Sequence, residues 1–156
     1  MADIATFLTY NDRAEEAARF YTSIFPNSRI TRVTHYPDID GLPPAGSVMM
    51  VEFELMGRPF VALNGGPQFS FSQGISISVQ CDTQQEVDEY WAKLAEDGQE
   101  VACGWVTDKF GVSWQINPKL LMEMVADADP DKAKKVMQAM MGMVKIDSEG
   151  LRKAWA

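Results

Sequence analysis

The sequence predicts an α+β protein made of two βαβββ modules and a helical C-terminal extension. Three observations favour this fold. Strand-like and helix-like segments occur in the same order in both halves, the second half repeats the apolar pattern of the first, and the last quarter carries helix caps without strand alternation. At 156 residues the chain suits one domain with a substantial core. We expect module one at about 3–66, module two at about 73–118 and the extension at 119–156.

Module one begins with a short run of aromatic and branched residues from Ile4 to Tyr10, which predicts a strand. Asn11 and Asp12 are candidate caps for the amphipathic helix that follows and that Pro26 stops. A loop rich in Pro and Gly interrupts the later strands, which we expect at 29–36, 48–55 and 59–63.

Module two begins in the same way. Residues 74–80 alternate apolar and polar side chains, as a half-buried strand does. Thr83 and Glu86 have capping-box spacing, and Gly98 ends the predicted helix. Shorter strands are expected at 101–106 and 112–116.

The two halves match when Asp12 is placed over Asp82, an offset of 70 residues. Residues of the same kind then coincide along a strand and a helix, which indicates two copies of one unit. The matched pairs are Phe7 with Ile77, Thr9 with Val79, Glu16 with Glu86, Phe20 with Tyr90, Tyr21 with Trp91, and Ile24 with Leu94. The alternative is a single mixed sheet without duplication.

The extension is predicted to be helical because Asn117-Pro118, Asp129-Pro130 and Asp147 are each suited to begin a helix. It holds six of the ten methionines. Met137, Met140, Met141 and Val144 have the spacing of one helix face. We expect this stripe to pack against the domain or a second subunit, and an adaptable binding surface is the alternative.

Composition and charge exclude several classes of protein. Hydrophobic residues make up 46% and charged residues 23%, as in globular proteins, and no run of about 18 apolar residues predicts a membrane span. The net charge of −8, with scattered Lys and Arg, argues against nucleic-acid and membrane partners. Cys81 and Cys103 form neither a disulfide framework nor a metal motif, and no signal peptide is evident, so we expect a cytoplasmic protein.

Four segments resemble the PhnB-like branch of the glyoxalase and bleomycin-resistance (vicinal oxygen chelate) superfamily, and more narrowly the group named 3-demethylubiquinone-9 3-methyltransferase. They are TFLTYNDRAEEAARFYTSIFPNSRI, VALNGGPQFSFSQGIS, CGWVTDKFGVSWQINP and MQAMMGMVKID. The resemblance implies cupped β-sheets, a homodimer and a cavity for a small organic ligand. It does not fix a reaction, since this superfamily includes lyases, isomerases, dioxygenases and drug-sequestering proteins.

The resemblance also gives positions for metal ligands on the first and last strands of each module. In this chain they fall at or near Thr6, Asn64, Ser76 and Gln115. These side chains are neutral, whereas zinc and transition metals favour imidazole, thiolate or carboxylate ligands. We therefore expect no metal and no other cofactor.

The ligand-binding residues predicted for the cavity are Asn64, Phe69, Ser76, Trp105 and Gln115. Aromatic walls with a few orienting polar groups are typical of small-molecule sites. Trp114 and Gln115 are adjacent on a strand, so only one of them faces the cavity, and we expect it to be Gln115. His35 is expected at an edge or in a loop, and Cys103 as a small buried residue.

We interpret the chain as a protein that binds a small organic molecule without metal, and the sequence leaves open whether it is an enzyme. The first alternative is a metal-dependent lyase or dioxygenase of the glyoxalase type. A methyltransferase, as the group name suggests, is the second alternative. It lacks support because the chain has no glycine-rich cofactor turn and no alternating βαβα order.

Overall fold

The computed structural model describes all 156 residues and divides them into two compact units, Met1–Ser70 and Phe71–Ala156. The first unit contains β1 (Thr6–Tyr10), α1 (Ala14–Ile24), β2 (Arg29–His35), β3 (Val48–Leu55) and β4 (Arg58–Asn64). Its sheet has the order β1-β4-β3-β2, in which β1 and β4 are parallel and the other pairs antiparallel.

The second unit repeats this arrangement and adds the extension. Its elements are β5 (Ile77–Cys81), α2 (Gln84–Ala95), β6 (Gln99–Glu100), β7 (Trp105–Thr107), β8 (Ser113–Pro118), α3 (Lys119–Val125), α4 (Pro130–Met141) and α5 (Ser148–Trp155). The sheet order is β5-β8-β7-β6, again with one parallel pair, β5 and β8. The identical topology confirms the predicted α+β fold of two βαβββ modules.

Each sheet has one face that is buried under its helix. We call this the helix face, and we call the other side of the sheet the opposite face. In the first unit Leu8 and Tyr10 alternate with more exposed residues along β1 and are buried. The hydroxyl of Tyr10 donates to that of Tyr21 on α1 at 3.1 Å. Phe53 and Phe60 stack with their ring centroids 5.4 Å apart. Strand alternation and one-sided helix spacing therefore build the core as predicted.

The predicted cap of α1 is wrong. The helix begins at Ala14 without a side-chain cap from Arg13, Asn11 or Asp12. Instead, the Ala14 amide donates to Oδ1 of Asn64, a residue fifty positions away on β4, at 2.8 Å. By contrast α2 has the predicted local cap, because Thr83 Oγ1 accepts from the amide of Glu86 at 3.2 Å.

The offset of 70 residues holds for the helices but not for the first strands. Tyr21 and Trp91 are both buried on their helices, as an offset of 70 requires. On the strands, Leu8 corresponds in burial to Val79 and Tyr10 to Cys81, an offset of 71. Since successive strand residues point to opposite faces, this single residue reverses which side chains of β1 and β5 are equivalent.

The extension forms its own apolar cluster and attaches to module two. The cluster contains Leu121, Met124, Val136, Ile146 and Leu151. Gln84 on α2 donates to the carbonyl of Ile146 at 2.9 Å and accepts from the amide of Ser148 at 2.8 Å. Asp129 and Asp147 cap α4 and α5 as predicted. Asn117 and Pro118 instead belong to β8, so α3 begins later than predicted.

The methionine stripe of α4 is packed within the chain only at Met140, which lies against the cluster of the extension. The buried residue of α4 is Val136, whereas Met137 and Met141 are 46% and 68% exposed. The expectation that this stripe packs within the chain therefore fails for Met137 and Met141, and packing of these residues against a second subunit stays a prediction. No helix of the structure has the length and apolarity needed to cross a bilayer.

Candidate functional site

Three side chains share the opposite face of the second sheet. The strand register pairs Gln115 with Ser78 on β5 and with Trp105 on β7, and directly paired residues point to the same side. Their neighbour Trp114 is completely buried on the helix face. Strand alternation had predicted this division between Trp114 and Gln115.

Gln115 is held in place by a residue just before β5. Its Nε2 donates to Ser76 Oγ at 2.9 Å, across the parallel pair of β5 and β8. The structure therefore brings together three of the five predicted ligand-binding residues, Ser76, Trp105 and Gln115. Because Nε2 is engaged, the Oε1 end of the amide is the one that can accept from a ligand.

An open cavity of about 240 Å³ lies on this side of the sheet, within the second unit. Its lining residues are Gln73, Val101, Trp105, Val106, Thr107 and Ser113, none of which is charged. Trp105 is the one predicted residue among them, and Ser76 and Gln115 are not part of the lining. Thr107 and Ser113 are paired with each other in register and lie two residues from Trp105 and Gln115, so strand alternation could have identified both.

Asn64 lies on the helix face of the first sheet, where its register partner is the buried Tyr10. Its Oδ1 accepts from Ala14, and its Nδ2 donates to the carbonyl of Val48 at 3.0 Å. Its own carbonyl accepts from the hydroxyl of Tyr36 at 2.5 Å. The amide thus joins α1 to β3, and we leave Asn64 out of the candidate site.

Phe69 belongs to the first unit and is 51% exposed. Its ring lies so close to Gly65 that a Cβ there would approach the ring to 2.9 Å. Its predicted role in binding stays a prediction.

Comparison with known proteins places this chain in a family. The family model of 3-demethylubiquinone-9 3-methyltransferase matches residues 2–117. The chain belongs to this family. The PhnB protein of Bacillus cereus is 36% identical, with 75% of this chain and 99% of that chain covered and a TM-score of 0.68. The chain is thus similar to a protein described as PhnB across most of its length.

Two more distant structures share the fold alone. Protein PA1353 from Pseudomonas aeruginosa is 22% identical over 76% of this chain and 98% of that chain, with a TM-score of 0.63. A protein from Bacillus cereus described as a possible glyoxalase is 14% identical over 73% of this chain and 96% of that chain, with a TM-score of 0.50. The comparison with curated proteins returned no match.

The strand register shows which residue of module one corresponds to Gln115 of module two, and it differs from the predicted one. In module one the counterpart of Gln115 is Val61, because Val61 pairs with Phe7 and Glu52 as Gln115 pairs with Ser78 and Trp105. Asn64 is therefore not the counterpart of Gln115.

Gln115 with its register partners Ser78 and Trp105, and the corresponding residues of module one, offer a poor set of metal ligands. Module two supplies an amide, a hydroxyl and an indole, while module one supplies a single carboxylate, that of Glu52. Arg32 forms an ion pair with Glu52, and this hydrogen bond raises the pKa of the guanidinium. No group of three or more His, Cys, Asp or Glu residues is placed to hold a metal ion. The donors present do not fit the divalent metal sites of the wider superfamily.

The other titratable or nucleophilic candidates are His35, Cys81 and Cys103. His35 is exposed at the end of β2, an edge strand, as predicted. Cys103 is half-buried rather than buried, and its amide donates to the carbonyl of Met143 at 2.8 Å. Burial, with smaller effects from the charges of Glu86 and Asp82, raises the pKa of the Cys81 thiol to about 12, so Cys81 carries no reactive thiolate near neutral pH.

Replacing Asn64 with alanine tests whether this residue is structural. We expect Asn64→Ala to lower the free energy of unfolding by about 1–2 kcal/mol, because the Ala14 amide and the Val48 carbonyl both lose a partner. Denaturant unfolding followed by circular dichroism measures this. Asn11→Ala, at the predicted local cap, is the control and should change stability by less than about 0.5 kcal/mol. A larger effect at Asn11 than at Asn64 would contradict this assignment.

Proposed function

We propose that this protein binds a small, uncharged aromatic or amphipathic organic molecule in the cavity beside Trp105 and Gln115, without a metal ion. The observation that carries the proposal is the lining of this cavity. It combines one indole with hydroxyl and amide groups and includes no charged side chain. An apolar wall with a few convergent polar groups is the usual composition of a small-molecule site.

The chemistry of the lining favours a neutral ligand. Trp105 offers an aromatic surface for stacking, and Thr107 and Ser113 offer hydroxyl groups that donate or accept. A charged ligand would lose hydration without gaining an ionic partner, which is costly in a partly enclosed site. Gln115 does not itself line the cavity, but it is paired with Trp105 in register, and with its amide held by Ser76 it can accept through Oε1 from a ligand that extends beyond the indole.

The alternative enzymatic functions have less support. A lyase or dioxygenase of the glyoxalase type needs a metal, which the donors on this face do not suit. A methyltransferase of the usual doubly wound fold needs a parallel sheet, and both sheets here are mixed. The homodimer expected from the resemblance is part of our proposal, and light scattering on the purified protein tests it.

Binding of 2-naphthol, with 2-naphthoate as its charged counterpart, tests the proposed function. The two probes share a ring system, so equilibrium dialysis compares a neutral with an anionic ligand of similar shape. We expect 2-naphthol to bind and 2-naphthoate to bind at least about tenfold more weakly, since its carboxylate finds no cation in the cavity.

Trp105→Ala should weaken 2-naphthol binding by about tenfold or more, because the stacking surface and its buried area are lost. The control is Trp155→Ala, which removes a partly buried indole of α5 outside the cavity. Equal affinities of Trp105→Ala and the wild-type protein would contradict the site. Near-stoichiometric metal in untagged protein, found by elemental analysis, would contradict the metal-free proposal.

A further inference from the structure

Ser113 is the most buried polar residue that lines the cavity of the second unit. Its exposed fraction is 4%, whereas Thr107 is partly buried and Gln73 is exposed. Ser113 also lies on β8, an interior strand of its sheet. Among the polar groups of the lining, the hydroxyl of Ser113 is therefore the one that a ligand meets deepest in the cavity.

The hydroxyl of Ser113 has no hydrogen-bond partner within the chain. By contrast, the amide of Gln115 on the same strand donates to Ser76. The one fully enclosed side-chain atom without a partner is Oδ1 of Asn117, so the oxygen of Ser113 keeps an accessible surface, and this surface faces the cavity. Buried polar groups are nearly always hydrogen-bonded, because an unpaired one is costly. The unpaired hydroxyl thus indicates a partner from outside the chain.

The strand geometry places Ser113 on the same side of the sheet as Trp105. Ser113 pairs with Thr107 in register, and two residues further along β8 Gln115 pairs with Trp105. Side chains two positions apart on a strand share a face. Ser113 and Trp105 are diagonal neighbours, which in a sheet lie roughly 7–8 Å apart. One bicyclic ring that carries a hydroxyl group spans this distance.

We infer that the ligand is a neutral hydroxylated aromatic compound, whose hydroxyl bonds to Ser113 while its ring lies against Trp105. This inference rests on the proposed function and adds the chemical class of the ligand and the residue that selects it. A serine hydroxyl both donates and accepts, so it suits a phenolic hydroxyl in either direction. A ligand without a polar group would leave the Ser113 hydroxyl unpaired, and this cost is the basis of the selection.

The preference for a hydroxyl group is measured with 2-naphthol and 2-methylnaphthalene, in which a methyl group replaces the hydroxyl. Equilibrium dialysis of the full chain at neutral pH gives the ratio of their two affinities. We expect Ser113→Ala to reduce the preference for 2-naphthol over 2-methylnaphthalene at least about fivefold, without weakening 2-methylnaphthalene binding. Ser78→Ala is the matched control, because Ser78 is exposed on the same face and does not line the cavity. Its ratio should equal that of the wild-type protein.

Thermal unfolding without a probe distinguishes a binding role of Ser113 from a structural one. Because its hydroxyl has no partner within the chain, the melting temperature of Ser113→Ala should be unchanged or raised. A lower melting temperature, or an equal loss of preference in Ser78→Ala, would overturn the inference. An unchanged preference in Ser113→Ala with 2-naphthol still bound would overturn it and leave the proposed function intact. If the wild-type protein bound neither probe, the proposed function would fail together with this inference.

Discussion

Gly104→Ala is expected to lower the free energy of unfolding by at least about 3 kcal/mol, since it adds backbone strain and steric overlap at one position. Gly104 has φ +82°, in the left-handed region. A Cβ there would overlap Oδ1 of Asn117, approach Cγ1 of Ile146 to 2.9 Å and approach the carbonyl of Ile116 to 3.2 Å. Gly104 and Asn117 are buried, so little space is available for adjustment.

The backbone at Gly104 also binds the extension to module two through hydrogen bonds. Cys103 also has positive φ, and the consecutive amides of Cys103 and Gly104 donate to the carbonyls of Met143 and Val144, each at 2.8 Å. We therefore expect Gly104→Ala to loosen the extension as well as to lower the melting temperature by roughly 6–12 °C. Thermal unfolding measures the temperature, and hydrogen exchange measures protection of the amides of 103 and 104.

Gly46→Ala is the matched control for backbone strain. Gly46 has φ +85°, but nothing lies within 4 Å of the position its Cβ would take. The free energy of unfolding of this variant should fall only by the cost of placing alanine in the left-handed conformation, about 1 kcal/mol. If both variants lost the same stability, steric overlap at Gly104 would have no role.

Asp108→Ala should lower the free energy of unfolding by roughly 3–5 kcal/mol, because it leaves three donors without their acceptor. The buried carboxylate of Asp108 accepts from the amides of Phe110 and Val112 at 2.9 and 3.0 Å and from Nε1 of Trp114 at 2.8 Å. These bonds close the turn between β7 and β8, the two strands that carry Trp105 and Gln115. Denaturant unfolding measures the loss.

Asp108→Asn separates the backbone contacts from the indole contact. Asparagine keeps the oxygen that accepts from Phe110 and Val112, but its NH₂ would face the indole N–H of Trp114, so an intermediate loss is expected. Asp127→Ala removes an exposed carboxylate that accepts one amide, from Asp129, and serves as the surface control. A loss at Asp127 as large as that at Asp108 would contradict this interpretation.

Much of the candidate site could be predicted from strand alternation. The period of two placed Gln115 and Trp114 on opposite faces, and the register then placed the predicted Trp105 beside Gln115 and added Thr107 and Ser113. Gln73 could not be predicted in this way, because it lies in the segment before β5, where no periodic pattern applies. The misplacement of Asn64 had a different cause, since module equivalence was inferred from sequence position without the register.

The sequence by itself determined the two βαβββ modules, the caps of α2, α4 and α5, and the uncharged character of the predicted ligand-binding residues. These features depend on local periodicity, on contacts between near neighbours or on residue type, all of which are present in the sequence. Only the tertiary structure decided that Asn64 completes the start of α1, that the first strands are offset by 71 residues, and that Met137 and Met141 stay uncovered. Each of these depends on strand pairing or packing between distant segments, which a local pattern does not specify.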